Sequence, residues 1–321
     1  MIRDLVRSPI FRGLVTIAVL VYLGTRIDMG DAAAAMLRVP AGVLLAVMTL
    51  VAIDRVVMVV RWVLLLKSSG IDISAISAAR IYLVSSFLGN FLLAGIGAEA
   101  MRAWSLGRRT NESSEAVASV AVDRLLGLLS IVMLGSFGTI AWTGDPDRAV
   151  ERTVIVVAAL VCIGSATMLW ADVVLRAIVP TRWLTGGAGG GLLRLVDAVG
   201  RYRGRRGTMG VVLGLSIVVQ CLRIGQAWLL GIGLGIVVPF QYYLVFMPIG
   251  LLALLLPVSV GGFGVPQGVI VWLLHPRGVP DAQSFALATL IVLTGFVGNL
   301  PGMLLYVGSK RNQDAEGSTT R

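Results

Sequence analysis

Apolar runs near 20 residues recur along the chain, parted by short polar segments. A run of that length matches the hydrocarbon thickness that one α-helix crosses. The pattern predicts spans over residues 10–27, 40–66, 113–142, 153–171, 208–234 and 284–307. Two more apolar segments, 77–106 and 239–274, are interrupted from within. The first breaks at Ala94-Gly95-Ile96-Gly97-Ala98-Glu99-Ala100-Met101-Arg102. The second breaks over residues 257–268, which hold Pro257, Ser259, Gly261, Gly262, Gly264, Pro266 and Gly268.

Proline removes a backbone donor and glycine is costly in a helix, so neither segment continues as one straight helix. Broken backbone at membrane depth leaves polar groups that only protein or a water-filled cavity satisfies. Each segment therefore predicts a broken or re-entrant helical hairpin, a common binding feature of transporters. Each precedes a long span. Two breaks that open to opposite sides are what an inverted-topology repeat requires, although the halves share no evident residue identity.

Composition agrees with the pattern. Of 321 residues, 57% are hydrophobic and only 14% charged, against roughly 25% charged in soluble domains. The fold class is all-α integral membrane, a polytopic helical bundle. One transmembrane domain over 1–309 accounts for the length, and the polar tail 310–321 reads as disordered. The basic start and short apolar run resemble a signal peptide but lack a well-placed small-residue cleavage site, so 10–27 is read as an uncleaved span.

The net charge is +10, almost all arginine. Seven arginines fall in the connection 176–207, where Leu192, Leu195, Val196 and Val199 share one helical face and predict a short surface helix. With both termini in the cytoplasm, Lys67, Arg80, Arg108, Arg109, that connection and Lys310-Arg311 all lie inside. Without a soluble basic domain, nucleic acid is excluded as a partner. Cys162 and Cys221 sit in apolar runs and read as buried thiols. A single His and no Cys/His cluster leave no metal or cofactor to infer, and no P-loop pattern is present.

Charges inside apolar spans are rare and usually face the bundle interior. Asp54, Arg55 and Arg61 interrupt the second span, Asp123-Arg124 the fourth element, and Gln220 with Arg223 the later span. Glu99 and Arg102 sit three apart beside the first break. Asp123 and Arg124 point about 100° apart on a helix. They are therefore expected to pair with other charges, Asp123 with Arg102 and Arg124 with Glu99. Arg61 lies near a span end and is able to snorkel to the interface. Arg223 is suited to free carbonyls of the second hairpin. Trp62, Trp104, Trp142 and Trp183 read as an interfacial belt.

Four patterns in this order resemble the flippase-like transmembrane domain of the lysylphosphatidylglycerol synthase family. They are Arg61-Trp62; the stretch from Asn90 through Gly97 and Glu99 to Arg102; Asp123-Arg124 followed by Gly127; and the Pro257-x-Ser259-x-Gly261-Gly262-x-Gly264 segment. Ala94 stands where the family often has Pro, Ala98 where it often has Gly, and Val265-Pro266-Gln267 where many members have Val-Arg-Glu. The resemblance implies an inner-membrane protein that moves a lipid with a polar headgroup between leaflets. The aminoacyl-transferase domain of fused members has no counterpart in this sequence, so the expectation is a non-enzyme.

The reading is a flippase for a phospholipid or a polyprenyl-linked lipid, serving a separate lipid-modifying enzyme. Glu99, Arg102, Asp123, Arg124, Arg61, Asn90 and Arg223 are the candidate headgroup contacts. Pro257, Ser259, Gly261, Gly262 and Gly264 are the candidate gate. A small-solute secondary transporter, a membrane-embedded lipid-linked transferase and an accessory subunit remain open from sequence.

Overall fold

The computed structural model describes residues 9–91, 97–142, 148–178, 187–255 and 263–308. Among them are thirteen α-helices. In chain order these are α1 (Pro9–Arg26), α2 (Met29–Leu37), α3 (Ala41–Ser69), α4 (Ala75–Gly89), α5 (Gly97–Thr110), α6 (Ser113–Ala141) and α7 (Arg148–Leu169). Then come α8 (Ala171–Ile178), α9 (Gly187–Arg203), α10 (Arg206–Gly233), α11 (Phe240–Leu255), α12 (Val265–Leu274) and α13 (Asp281–Gly298).

Four helices are long and apolar enough to cross a membrane: α3, α6, α10 and the helix from Asp281 to Gly308 that begins as α13. The pair α7–α8, bent by 70°, adds a fifth only where the two helices count as one span. Hydropathy alone predicted six; the apolar part of α1, Thr16–Arg26, falls short of that length. The chain is a multi-pass membrane protein. Its spans carry exposed Leu45, Val56, Ile140, Leu160 and Val211, while Asp54, Arg61 and Asp123 are buried. Apolar outside and charged inside is the arrangement hydrocarbon selects.

Local sequence explains the element ends. Ser74 Oγ accepts from the Ser77 amide and starts α4. Gly70 ends α3 in the left-handed region at φ 81°, where a side chain is strained. Asp28 accepts from the amides of Gly30 and Asp31 and starts α2. Pro266 occupies the first turn of α12, where its missing donor costs nothing.

The two interrupted segments each fold as a pair of short helices. In the first, Arg102 lies over the ring of Tyr82, and a Cβ on Gly89 would collide with Ala98. Those contacts run α4 and α5 antiparallel. In the second, the Tyr242 hydroxyl donates to the Leu273 carbonyl at 2.7 Å, and Gly250 faces Ile270. That sets α11 and α12 antiparallel as well. The arms have 15, 14, 16 and 10 residues. At about 1.5 Å per residue they are shorter than the roughly 30 Å hydrocarbon core.

Span, hairpin, span thus occurs twice. Arg206 opens α10 about 165 residues after Ala41 opens α3, and Phe240 opens α11 as far after Ala75; Val265 follows Gly97, and Asp281 follows Ser113, by about 168. Contacts recur at the same offsets. Gln220 of α10 reaches the Gly127 carbonyl of α6 at 3.5 Å, and Arg55 of α3 donates to the Gly295 carbonyl of α13 at 3.3 Å. The same helix pairs also approach closely, here one helical turn off those offsets: a Cβ on Gly138 of α6 would meet the backbone of Leu244 in α11, and one on Gly302 would meet the backbone of Leu83 in α4. Small residues at these crossings let backbones approach, the usual device of packing within lipid. The two leading spans, α3 and α10, cross antiparallel: Arg61 meets Ser216, Asp54 meets Arg223, and Val39 meets Gly233.

The arginine-rich connection forms α8 and α9. Arg176 pairs with Asp197, Arg203 with Asp172, and Arg201 with Glu115 at the foot of α6. Its apolar face carries Ala198, Val199 and Tyr202, which pack against Leu65, Val122 and Val212. The predicted surface helix is therefore docked onto three spans, not lying free.

Candidate functional site

Asp123 occupies the middle of α6 and is 2% exposed. An isolated carboxylate there would be prohibitively costly, so the fold surrounds it with cations. Arg61 Nε of α3 donates to one carboxylate oxygen at 2.8 Å, and Arg102 Nη2 of α5 to the other at 3.0 Å. Arg61 Nη1 also donates to Ser216 Oγ of α10 at 3.0 Å. The Arg102 guanidinium lies over the rings of Trp62 and Tyr82, 5.0 and 4.9 Å from their centroids. Each such cation–π contact contributes up to about 2 kcal/mol when desolvated. The Nε of Arg102 has no hydrogen-bond partner among the described residues.

The triad faces a cavity of about 90 Å³. Glu99, Arg102, Asp123, Arg124, Arg61 and Arg223 all line it. The expected pairs are present: Arg102 with Asp123, and Arg124 Nη1 with Glu99 at 2.5 Å. Glu99 and Arg124 are more open than the triad, with side chains 22% and 33% exposed.

The charges do not balance. Arg61 and Arg102 share the single carboxylate of Asp123, leaving one unit of positive charge in a buried site. Arg223 at the far wall pairs with Asp54, which Arg55 already holds. Four guanidiniums thus line the cavity with two carboxylates, those of Glu99 and Asp123. Burying surplus charge costs several kcal/mol per ion unless a partner neutralises it. Paired guanidiniums are the side chains best shaped for a phosphate.

Beside this cavity runs a second space of about 770 Å³ between α5 and α6. Ala100, Ala103, Trp104, Val117, Val120 and Ala121 form its wall. Glu99 and Arg124 line both spaces. The ion pair therefore stands where a polar chamber opens into an apolar groove.

The structure moves several residues from their expected places. Arg61 does not snorkel; it is 3% exposed and bonded to Asp123. Arg223 pairs with Asp54, not with hairpin carbonyls. Trp62 is fully buried under Arg102, so it backs that guanidinium and does not belong to an interfacial belt. Asn90 caps α4, accepts from Asn299 Nδ2 at 3.1 Å, and is absent from the cavity lining. Gly264 has φ 96° and faces Thr16 of α1; its amide donates to Gln267 Oε1 at 2.7 Å. Pro257, Ser259, Gly261 and Gly262 lie outside the described residues. Cys162 and Cys221 are exposed on the helix surface, not buried.

Tyr82, Ser85 and Ser86 of α4 line the cavity and Ser216 steadies Arg61, none of which sequence reasoning singled out. The available signal was Ser85-Ser86 in an apolar helix. Among the described residues no three His, Cys, Asp or Glu side chains converge to hold a metal.

A match to the family described as lysylphosphatidylglycerol synthase TM region covers residues 10–302. The chain belongs to this family. As a lysylphosphatidylglycerol synthase transmembrane region it is related to lipid biosynthesis or flipping, and the match takes in both hairpins and every residue of the cavity. No curated protein matches the chain.

Proposed function

We propose that the protein is a lipid flippase that carries an anionic headgroup through the Arg61–Arg102–Asp123 cavity while the acyl chains stay in hydrocarbon. The observation that carries this reading is the shared wall: Glu99 and Arg124 border both the cationic chamber and the apolar groove. A lipid has that same division. The chamber, of about 90 Å³, suits a phosphate-sized group, since a single water needs about 10–15 Å³ of such space. Arg102 and Arg61 meet the phosphate, and the Glu99–Arg124 pair opens to admit it.

Transport fits an inverted-topology repeat. Support comes from the recurrence of span, hairpin and span, the antiparallel crossing of α3 and α10, and the matched contacts of Gln220 with Gly127 and Arg55 with Gly295. In such folds one half rocks against the other around a central site. Arms too short to span favour re-entrant hairpins. The arginine bias places both termini in the cytoplasm of a cell inner membrane. The protein works as a transporter and not an enzyme, with a separate lipid-modifying enzyme making or using the lipid.

The test is leaflet transfer of a fluorescent phosphatidylglycerol and a polyprenyl phosphate in proteoliposomes. Wild-type protein is expected to accelerate transfer of at least one. Arg102→Gln is expected to slow it at least tenfold. Wild-type protein that moves neither lipid overturns the reading.

A further inference from the structure

The short helix α8 is built the wrong way round for water. Val173, Val174 and Ala177 form one helical stripe with Trp170, whose carbonyl accepts from the Val174 amide at 3.0 Å, and all four side chains are exposed. The opposite face is charged and turned to α9. There Arg203 Nη2 donates to Asp172 at 2.8 Å, and Arg176 Nη2 donates to Asp197 at 2.9 Å. An apolar face outward and a charged face inward is the stable arrangement along a bilayer boundary. The 70° bend after Leu169 turns α8 away from the line of α7 and towards the membrane plane. Trp170, 48% exposed, sits at that turn, the usual place of an interfacial anchor.

The cations around this stripe exceed what the fold requires. A shift of about 165 residues carries α2, Met29–Leu37, onto residues 194–202 of α9. α2 packs against α13 as α9 packs against α6. Yet residues 26–40 hold two arginines and two aspartates, whereas residues 171–206 hold seven arginines and two aspartates. Docking such a helix therefore does not call for the charge. Arg176 and Arg203 hold α8 to α9, and Arg201 holds Glu115. Arg194 and Arg206 are exposed and have no carboxylate partner among the described residues. The two ion pairs set α8 and α9 antiparallel. Arg194, about one turn before Asp197, thus lies towards the C-terminal end of α8, and Arg205-Arg206 follow Arg203 beside its start. Surplus arginines flank the apolar stripe at both ends.

We propose that α8 and its flanking arginines form a docking site for anionic glycerophospholipid of the cytoplasmic leaflet, separate from the transport cavity. Trp170, Val173, Val174 and Ala177 enter the acyl boundary. Headgroup phosphates meet Arg194 at one end of the stripe and Arg205 and Arg206 at the other. Each arginine near an anionic surface raises occupancy about fivefold. The site rests on the cytoplasmic placement of the arginine-rich connection and not on the flippase reading.

The experiment measures hydrogen exchange of the α8 amides in the full chain, one copy per nanodisc. The discs hold phosphatidylcholine alone or phosphatidylcholine with phosphatidylserine. Phosphatidylserine is expected to slow exchange in the wild type at least fivefold. Arg194→Gln, Arg205→Gln and Arg206→Gln together are expected to bring that ratio under twofold. Val173→Asn with Val174→Asn, at positions 51% and 40% exposed, leaves the interior intact and is expected to speed exchange at least fivefold in phosphatidylcholine. A wild-type ratio near one, a ratio that the triple variant preserves, or exchange unchanged in the valine variant overturns the site. Equal slowing by inorganic phosphate in phosphatidylcholine discs makes the ligand a free anion and also overturns it. So does protection seen only in discs that hold two copies, which makes the occupant a second chain. Leaflet transfer measured on the same wild-type protein separates the two readings: absent transfer with the ratio intact overturns only the flippase, and the reverse overturns only this site.

Discussion

The hairpin α4–α5 and its counterpart α11–α12 share a fold but not a chemistry. The first carries Glu99, Arg102, Arg108 and Arg109 on α5. The second has no charge on α12, and the residue about 168 positions after Glu99 is Gln267, fully buried with its Oε1 turned back to the Gly264 amide. The buried charges nearest that hairpin lie instead on α3 and α10, as Asp54, Arg55 and Arg223. The two halves thus share small residues at their helix crossings but carry their charges on different helices. They also differ in burial. The arginine partners of Asp123 have side chains 4% and 7% exposed, and those of Asp54 19% and 26%.

That difference predicts unequal damage. Asp123→Asn leaves two buried guanidiniums facing each other and is expected to cost about 3–5 kcal/mol, seen as a large drop in the detergent unfolding temperature. Asp54→Asn leaves two partly solvated guanidiniums and is expected to cost less than half as much. Equal losses from the two variants would erase the distinction between buried and partly solvated arginine partners.

The crossings come next in size. Gly138→Leu and Gly302→Leu each force backbones apart where corresponding helix pairs cross, α6 with α11 and the last span with α4. Each is expected to destabilise by about 1–3 kcal/mol, and by similar amounts if the halves are built alike. A thermal scan in which only one of them matters would break the equivalence. The smallest effect belongs to the Glu99–Arg124 pair. Being partly solvent-screened, it contributes at most about 1 kcal/mol, so Glu99→Gln is expected to leave the unfolding temperature nearly unchanged. Its mark is on transfer kinetics, where an open gate raises or lowers the rate without loss of folded protein. A large thermal loss from Glu99→Gln would make the pair a structural clasp.

How much of this was legible beforehand follows from how far each feature reaches along the chain. Span positions depend on local hydropathy, so α1, α3, α6 and α10 lie within a few residues of their predicted limits, although the apolar part of α1 is too short to count among the four long spans. Glu99, Arg102, Asp123 and Arg124 were marked by the same local cue, charge inside an apolar run. Arg61 was misplaced because proximity to a span end says nothing of which face it presents. Trp62 was misplaced for the same reason. Asn90 was carried by a motif whose role here is to cap a helix against Asn299.

The sequence by itself determined that the chain lives in a membrane, where its helices break, and that a few charges must be kept from lipid. Those follow from the free energy of single residues and short runs in hydrocarbon. Only the tertiary structure decided which charges meet. Arg61 and Asp123 are 62 residues apart, Arg61 and Ser216 155, and Arg223 and Asp54 169. Pairing over such distances is set by how α3, α6 and α10 cross, and the crossings are set by glycines and close packing that no local pattern encodes. The surplus of positive charge in the cavity, on which the function is argued, exists only once those helices are assembled.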